Sequence, residues 1–212
     1  MKVEFASRCL GEGCNMDSRT IDTYNVLARG FAAEWEDEQN PPDDLYAVVT
    51  SYFRPGLTVD VGCGSGRDTA WLAAKGFNVV GVDASSRLIA EARRRHLKVR
   101  FECDTLPELS SLKAGAYANV LCETVIMHMP EAKALASVRR MAELLAPGGV
   151  LYLSWRVTDG GEWRDERDRL YASFDTHRIA AELKGFKMEL DERIVSASSN
   201  KIVHRLVVRR GE

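Results

Sequence analysis

The sequence lacks the features that mark membrane, fibrous and strongly charged proteins. It contains no run of about 18 apolar residues, so no membrane-spanning helix is expected. Its 29 basic and 31 acidic residues give a formal net charge of −2, and this balance supplies no general attraction to nucleic acid or to an anionic membrane. It also contains no repeat and no low-complexity tract. With 212 residues, 45% of them hydrophobic, the chain is expected to form one ordinary globular domain.

Cysteine is sparse and gives no sign of a disulfide framework. The five cysteines are odd in number and scattered along the chain: Cys9, Cys14, Cys63, Cys103 and Cys122. Cys9 and Cys14 are close enough for metal binding or a redox pair, yet no second Cys or His pair has ligand spacing. Charged residues interrupt residues 1–15, which does not fit a secretory signal. We therefore expect reduced thiols, no bound metal and a cytoplasmic location.

The hydrophobic pattern separates an N-terminal part from the rest of the chain. Residues 1–16 show little periodicity and are expected to be a flexible N-terminal segment, whereas residues 17–212 are expected to form a single domain. Within this domain, residues 17–54 are predicted to be helical. Apolar residues recur at helical spacing over 17–38, and a second helix is predicted over 45–53, after a proline break.

Residues 55–212 alternate between short apolar strands and amphipathic helices, which predicts an α/β core. Seven strands are predicted, at residues 58–61, 78–82, 99–103, 117–122, 150–155, 186–195 and 202–208. This alternation is typical of a doubly wound, mostly parallel seven-stranded sheet. The polar link before the last strand predicts a hairpin, which makes the C-terminal strand antiparallel. Ligands of such sheets bind at the carboxyl ends of the strands.

A glycine-rich loop follows the first predicted strand. Glycine occupies positions 62, 64 and 66, where it lets the backbone turn tightly and lets a ligand approach without a Cβ in the way. The helix that follows offers free backbone N–H groups to an anion. The dinucleotide fingerprint GxGxxG requires glycine where this chain has Arg67, so a nicotinamide-linked reductase is disfavoured. The loop predicts a nucleotide-like ligand of another kind.

Acidic residues accompany three successive strands. Asp60 lies within the first strand, Asp83 ends the second and Asp104 ends the third. A carboxylate at position 83 is suited to accept both hydroxyl groups of a ribose, which indicates an adenosine-type ligand without a 2′-phosphate. Two alternatives stay open: Asp83 as the cap of the following helix, and Asp104 as a helix cap or part of a solvated turn.

This combination of loop and acids resembles the class I S-adenosylmethionine (SAM)-dependent methyltransferases. The resemblance covers about residues 20–208 and is strongest over 57–155. Asp60 and the three loop glycines match the family's first motif, Asp83 matches its ribose-binding acid, and Asp104 matches the acid that usually meets the adenine amino group.

The resemblance implies a Rossmann-like methyltransferase fold, SAM as the cofactor and a lid formed by the N-terminal helices. The segment that begins at the end of the fourth strand matches the part of the family that lines cofactor and substrate. The cofactor-binding residues that the resemblance implies are Tyr24, Arg29, Asp60, Gly62, Cys63, Gly64, Asp83, Ala84, Asp104, Thr105, Leu106, Cys122 and Glu123. One departure is Tyr117-Ala118, where the family often has an aromatic-Asp pair; it puts local packing in doubt more than activity.

Methyl transfer from a sulfonium chiefly requires that nucleophile, methyl carbon and sulfur lie in line. Tyr24, on the lid helix, is a candidate to face the sulfonium, and Arg29 is a candidate to meet the cofactor's carboxylate. The alternatives are a core position for Tyr24 and a solvated position for Arg29. Tyr24 and His128 are the predicted catalytic residues. His128 is a candidate base, with a packing role as its alternative, because a base is needed only if the nucleophile is protonated.

The predicted substrate-binding residues lie at and beyond the end of the fifth strand: Trp155, Arg156 and Tyr171. Arg156 suggests an acidic group on the substrate, such as a carboxylate, and an ordinary salt bridge is the alternative. The charged stretch at residues 160–174 is predicted to be an irregular insertion that carries specificity.

The resulting hypothesis is methyl transfer to a heteroatom of a small molecule, by a monomer or homodimer with no nucleic-acid or membrane partner. The alternatives are an enzyme that cyclises or cleaves the aminobutyl chain of SAM, releasing methylthioadenosine, and a SAM-binding protein without activity. Asn40-Pro41-Pro42 is discounted as an amide-methyltransferase motif because it precedes the first strand. The basic run at 93–95 is interpreted as a helix C-terminus that complements its dipole.

Overall fold

A twisted sheet at the centre of the molecule carries the rest of the fold. The computed structural model describes residues 16–158 and 160–212, so the expectations for residues 1–15, with Cys9 and Cys14, lie outside the described residues. The strands are β1 (Leu57–Val61), β2 (Asn78–Asp83), β3 (Arg100–Cys103), β4 (Tyr117–Cys122), β5 (Leu145–Arg156), β6 (Trp163–Arg164), β7 (Leu170–Tyr171), β8 (Lys187–Val195) and β9 (Ile202–Arg209).

Seven of these strands form one sheet in the order β3-β2-β1-β4-β5-β9-β8. The pairs from β3 to β5 are parallel, whereas β9 is antiparallel to both of its neighbours. The prediction of a mostly parallel seven-stranded sheet with an antiparallel C-terminal strand is therefore confirmed. The strand order reverses between β1 and β4, and a ligand cleft of a doubly wound sheet opens at the carboxyl ends of the strands beside such a reversal.

Helices cover both faces of this sheet. They are α1 (Ser18–Val26), α2 (Ala28–Ala33), a π turn (Glu34–Glu38), α3 (Asp43–Tyr52), α4 (Arg67–Ala74), α5 (Ser86–Arg95), a 3-10 turn (Ile126–His128), α6 (Glu131–Leu144) and α7 (Thr176–Glu182). One core, with Val59 and Leu153, packs under α6 and α7; the other, with Leu121 and Tyr152, packs under α3 and α4. Over the described residues, no helix is long and apolar enough to cross a membrane.

The predicted helix over residues 17–38 is interrupted. Leu27 leaves the helical conformation, with φ of −103° and ψ of 15°, and separates α1 from α2. The bend lets the two helices face different neighbours: Phe31 of α2 packs against Leu88 of α5, while α1 turns toward the insertion that follows β5. The helix begins one residue later than predicted, at Ser18, because Asp17 caps it by accepting the N–H of Thr20.

The insertion after β5 is more regular than predicted. Within residues 160–174, β6 and β7 form a short antiparallel hairpin. The hairpin lies against the N-terminal helices, and Leu170 N–H donates to the Thr20 hydroxyl at 2.9 Å. Ion pairs join the two parts as well: Arg19 with Asp168, Arg164 with Asp17, and Arg167 with Glu34. We call α1, α2, the π turn and the β6–β7 hairpin together the roof.

The departure at Tyr117-Ala118 has a packing explanation. Gly56 lies so close that a Cβ on it would be 2.5 Å from the Ala118 Cβ. Ala118 is itself buried, at 7% exposure, at the start of β4. A small side chain therefore fits this position, where a larger acid would have to displace the neighbouring chain.

Candidate active site

A cavity of about 330 Å³ lies between the carboxyl ends of β1, β2, β4 and β5 and the roof. Of the predicted site residues, those that line it are Tyr24, Gly62, Cys63, Gly64, Asp83, Ala84, Asp104, Leu106, Glu123, His128, Arg156 and Tyr171. The predicted cofactor, substrate and catalytic groups thus meet at one place, the edge of the sheet that the fold assigns to ligands.

The glycine loop forms the floor of this cavity. Gly62, Gly64 and Gly66 all have positive φ, at 75°, 56° and 92°, which is the conformation that favours glycine. A Cβ on Gly64 would lie 2.8 Å from the Trp35 ring, so the π turn of the roof lies directly against the backbone of the glycine loop. The buried Ser65 hydroxyl also lines the cavity, and among the described residues it has no hydrogen-bond partner. A ligand above the loop therefore finds open backbone and one unpaired hydroxyl.

Asp83 joins the end of β2 to this loop. Its Oδ2 accepts the N–H of Gly64 at 2.9 Å, and its Oδ1 accepts the N–H of Ser85 at 2.8 Å. Burial raises the pKa of this carboxyl, while the two N–H donors act in the opposite direction. The open alternative of a helix cap is not what the contacts show, since the Ser85 hydroxyl accepts the N–H of Leu88 and caps α5. Each oxygen of Asp83 keeps a second lone pair for a ligand hydroxyl.

Asp104 has a different set of contacts. Its Oδ1 accepts the Thr105 N–H at 2.8 Å, and its Oδ2 accepts both the N–H and the hydroxyl of Ser111, at 2.8 and 2.6 Å. Asp104 thus fixes the turn after β3, as one of its open alternatives anticipates, although it also lines the cavity. Leu106 lines the cavity beside it, whereas Thr105 is absent from the lining.

Asp60 lies beneath the loop and is not part of the cavity lining. It is 3% exposed, and its Oδ2 accepts the Thr69 hydroxyl at 2.6 Å. Burial raises the pKa of Asp60 to about 8, and the charges of Asp68 and Asp83 act in the same direction. Asp60 therefore connects β1 to α4 beneath the glycine loop. It affects ligand binding by fixing the conformation of that loop and does not contact the ligand itself.

Glu123 is a half-buried acid directly after β4. Its Oε2 accepts the hydroxyl of Ser154 at 2.5 Å. Burial raises the pKa of Glu123 to about 7. Arg67, whose charge acts on Glu123, is bound by both oxygens of Asp68, at 2.9 and 3.0 Å. Glu123 therefore presents to the cavity a carboxyl group that a positively charged ligand would stabilise in its ionised form.

Tyr24 and His128 form a hydrogen-bonded pair inside the cavity. His128 Nδ1 lies 2.7 Å from the Leu170 carbonyl oxygen, and its Nε2 lies 2.9 Å from the Tyr24 hydroxyl. Since a carbonyl only accepts, Nδ1 carries the proton and Nε2 accepts from Tyr24. Burial lowers the pKa of His128 to about 4, so the ring is neutral at neutral pH. Burial also raises the pKa of the Tyr24 hydroxyl.

Cations and aromatic rings line the cavity beyond this pair. The Arg156 guanidinium carbon lies 5.2 Å from the Tyr171 ring and 5.9 Å from the Trp163 ring. Arg169 lies 5.7 Å from the Tyr24 ring and 5.6 Å from the Tyr171 ring. The sequence reasoning missed Arg169, because its position in the cavity depends on how the insertion folds back over α1.

Besides Asp60 and Thr105, three more predicted residues have positions away from the cavity. Trp155 is buried, at 2% exposure, and its ring stacks on His204 at 4.7 Å. Cys122 is fully buried in the core under α6 and α7. The Arg29 side chain is 88% exposed and pairs with Glu91 at 3.3 Å, which matches the solvated position that was its alternative. The sequence reasoning also missed Trp35, Ser65 and Arg67, although the last two stand within the glycine loop and just after it.

The strand order, the glycine loop and the acid at the end of β2 define an α/β protein with a Rossmann-like ligand cleft. Residues 58–149 match a family model described as a methyltransferase domain. A ubiquinone biosynthesis O-methyltransferase of Xanthomonas campestris pv. campestris is 30% identical over 153 residues, which cover 66% of this chain and 62% of that protein. The chain thus spans less than two thirds of the length of this relative.

Solved structures share the fold at lower sequence identity. The magnesium protoporphyrin IX methyltransferase of Synechocystis, crystallised with S-adenosylhomocysteine (SAH), superposes with a TM-score of 0.72 at 20% identity, covering 92% of this chain and 99% of that one. The cyclase SpnF superposes with a TM-score of 0.67 at 17% identity, covering 92% and 97%. The family-model match includes the glycine loop, Asp83 and Asp104, and the relative is likewise named as a methyltransferase.

Proposed function

We propose that this protein transfers the methyl group of SAM to a heteroatom of a small molecule bound under the roof. The observation that carries the proposal is the position of Asp83. It lies in the cavity at the end of β2 and holds the glycine loop by its bond to Gly64. A carboxylate fixed beside bare, left-handed backbone is suited to hold a ribose whose attached chain lies over the loop.

The remaining contacts of the cofactor follow from that placement. The Asp83 oxygens accept the ribose hydroxyls, and the side chains of Leu106 and Leu88 offer an apolar surface for the adenine. The unpaired Ser65 hydroxyl and the N-terminus of α4 are available to the cofactor's carboxylate, and Glu123 to its ammonium group. With the cofactor placed in this way, the part of the cavity beside Arg156 is left for the methyl acceptor.

SAM supplies an activated methyl group: the acceptor atom forms a bond to the methyl carbon, and the sulfur keeps the electrons of the broken bond. The chain contributes alignment and the exclusion of water, which the roof provides. Tyr24 donates to His128 and so holds its hydroxyl oxygen ready to accept a hydrogen bond from the acceptor. With a pKa of about 4, His128 orients Tyr24 better than it removes a proton.

The acceptor is proposed to carry an acidic group that Arg156 binds. Arg156 lines the cavity and, among the carboxylates of the described residues, none forms an ion pair with it. By contrast, Arg67 and Arg169, the other guanidinium groups of the lining, are paired with Asp68 and Asp165. A guanidinium that lacks a carboxylate partner in a cavity is stabilised when a ligand anion pairs with it.

The test is incubation of the protein with isotopically labelled SAM and a metabolite extract, followed by mass analysis of the products. We expect SAH and one or more labelled small molecules, and Asp83→Ala should reduce labelling at low SAM concentration by about 5- to 150-fold. The Gly30→Ala variant is the control for effects of mutation and purification that are unrelated to the site, because an added Cβ at that position meets no neighbouring atom within 4 Å. Release of methylthioadenosine without labelled product would contradict methyl transfer and support aminobutyl-chain chemistry.

A further inference from the structure

Aromatic rings form one continuous wall of the cavity. The lining includes the rings of Trp35, Tyr24, His128 and Tyr171. Their centroids follow one another at 6.0 Å from Trp35 to Tyr24, 5.6 Å from Tyr24 to His128, and 4.9 Å from His128 to Tyr171. The wall runs from the glycine loop, which Trp35 touches, to the outer end of the cavity beside β6–β7. Trp163 stacks on one face of Tyr171 at 4.9 Å, so another ring finds the edge of Tyr171 and the half-buried rings of Tyr24 and Trp35.

The two guanidinium groups lie at the outer end of this wall. Both Arg156 and Arg169 lie over the Tyr171 ring, at 5.2 and 5.6 Å. Asp165 neutralises Arg169 at 2.7 Å. Arg156 has aromatic neighbours, and no acid of the described chain pairs with it, so of these two guanidinium groups it is the one whose charge a ligand can use. The Tyr171 ring therefore lies between the aromatic wall and the two guanidinium groups.

We propose that the methyl acceptor is an aromatic acid. This inference rests on the proposed methyl transfer and deepens it by naming the substrate class. The acceptor's ring lies along the wall at Tyr171 and His128, and its carboxylate binds Arg156. Its nucleophilic substituent then points along the wall toward Tyr24 and the glycine loop, where the cofactor is placed.

The size of the cavity agrees with this class. The cavity of about 330 Å³ lies beneath a roof whose first helix and β6–β7 hairpin are joined by an ion pair and a hydrogen bond. Pockets for small ligands begin at about this volume, and the cofactor occupies part of it, so the acceptor must be compact. A flat ring uses the narrow space beside an aromatic wall better than a bulky aliphatic group of equal carbon number.

The experiment measures acceptor binding to the SAH-saturated protein by calorimetry. The probes are the 2-, 3- and 4-hydroxybenzoates, their methyl esters, and the corresponding hydroxycyclohexanecarboxylates. At least one hydroxybenzoate should bind about tenfold or more tightly than both its ester, which lacks the charge, and its cyclohexane counterpart, which lacks the ring. Equal affinities within each set, or no binding of any aromatic acid, would overturn the proposal.

Two variants separate the contributions of charge and ring. Arg156→Gln should remove the preference for acid over ester and leave the preference for ring over cyclohexane. Tyr171→Leu should reduce the ring preference and leave the charge preference. Arg139→Gln, on α6 with its partner Glu182, is the matched control and should change neither. If Arg156→Gln keeps the full acid preference, the assignment of the anion site is wrong.

The same titrations distinguish this inference from the proposed function. SAH is titrated first, without any acceptor. If SAH does not bind, the proposed function itself fails. If SAH binds and labelled methyl reaches a product in the metabolite extract that has no ring or no acid group, the proposed function survives and the aromatic-acid inference fails.

Discussion

The two sides of the cavity are built in different ways. The floor consists of the glycine loop and Asp83. The hydrogen bond from Gly64 to Asp83 joins residues that are only 19 positions apart in the chain. The roof depends on pairs such as Arg19 with Asp168, which are 149 positions apart. The floor is thus built from local contacts, whereas the roof is assembled from long-range ion pairs, two of them exposed, that contribute little individually. We infer that the floor sets cofactor affinity and the roof sets acceptor choice.

The largest expected effect comes from filling the floor. A Cβ on Gly62 would lie 2.3 Å from Val125 Cγ2, and φ at this residue is 75°. Gly62→Ala should therefore cost about 3 kcal/mol in strain and overlap and weaken SAH binding at least about 30-fold. Thermal unfolding and calorimetric titration measure the two effects. Gly30→Ala, in the roof, should leave SAH binding unchanged and should not lower stability, since alanine favours a helix by up to about 1 kcal/mol over glycine.

The next effect concerns the two acids at the ends of neighbouring strands. Asp83→Ala should weaken SAH binding by about 1–3 kcal/mol, because hydrogen bonds to a charged acceptor are lost. Asp104→Ala should weaken it by less than about 1 kcal/mol, since the Asp104 oxygens already serve Thr105 and Ser111. Titration of both variants with SAH measures the difference. Equal losses would remove the special role given to Asp83.

Because the pKa of Glu123 is raised, we expect cofactor binding to depend on pH. Its pKa in the free protein is about 7, and the charged partners that act on it are Asp68 and Arg67 of α4, with Ser154 and Tyr152 of β5 as hydrogen-bond partners. The ammonium of SAH favours the ionised carboxylate, so binding should be strong above this pKa and weaken as pH falls below it. We expect a loss of about tenfold for each pH unit below 7.

Glu123→Gln should remove this dependence because its amide does not titrate. Methylthioadenosine, which lacks the ammonium group, should bind wild-type protein with the same affinity across the range. A flat profile for SAH with wild-type protein would show that Glu123 does not face the cofactor.

The smallest expected effect is in the roof. The guanidinium of Arg164 lowers the pKa of Asp17 to about 2. Asp17→Asn keeps the cap of α1 but loses the ion pair, so it should destabilise the protein by about 1 kcal/mol at neutral pH. Because the folded pKa is depressed, this contribution is present above the unfolded value near 3.8 and disappears as pH falls toward 2.

Chemical denaturation at several pH values measures the Asp17 contribution. Asp175→Asn is the matched control, because Asp175 caps α7 without an ion pair to any described residue. SAH affinity should be unchanged in both variants. A large loss of SAH affinity in Asp17→Asn would show that roof and floor are not separable.

The sequence predicted the floor well because its signals are local. Glycines at positive φ, an acid ending β2 and the alternation of strands and helices are each determined by residues close together in the chain. The bounds of β4 match the prediction at both ends, and β1 and β2 differ from it by one residue.

The roof was predicted poorly because its contacts are distant in sequence. The contact of Trp35 with Gly64 and the position of Arg169 over Tyr24 depend on the bend at Leu27 and on the β6–β7 hairpin. Trp155, on strand β5, was predicted to bind substrate but does not line the cavity. Alternation places it on the face opposite Ser154 and Arg156, where it packs on His204.

The most direct test of the central claim is a crystal structure of the protein with SAH. The account predicts both ribose hydroxyls within hydrogen-bond distance of the Asp83 carboxylate, with the aminobutyrate chain over the glycine loop and beneath Trp35. SAH bound elsewhere, or an Asp83 carboxylate that contacts only Gly64 and Ser85 while SAH is present, would contradict it.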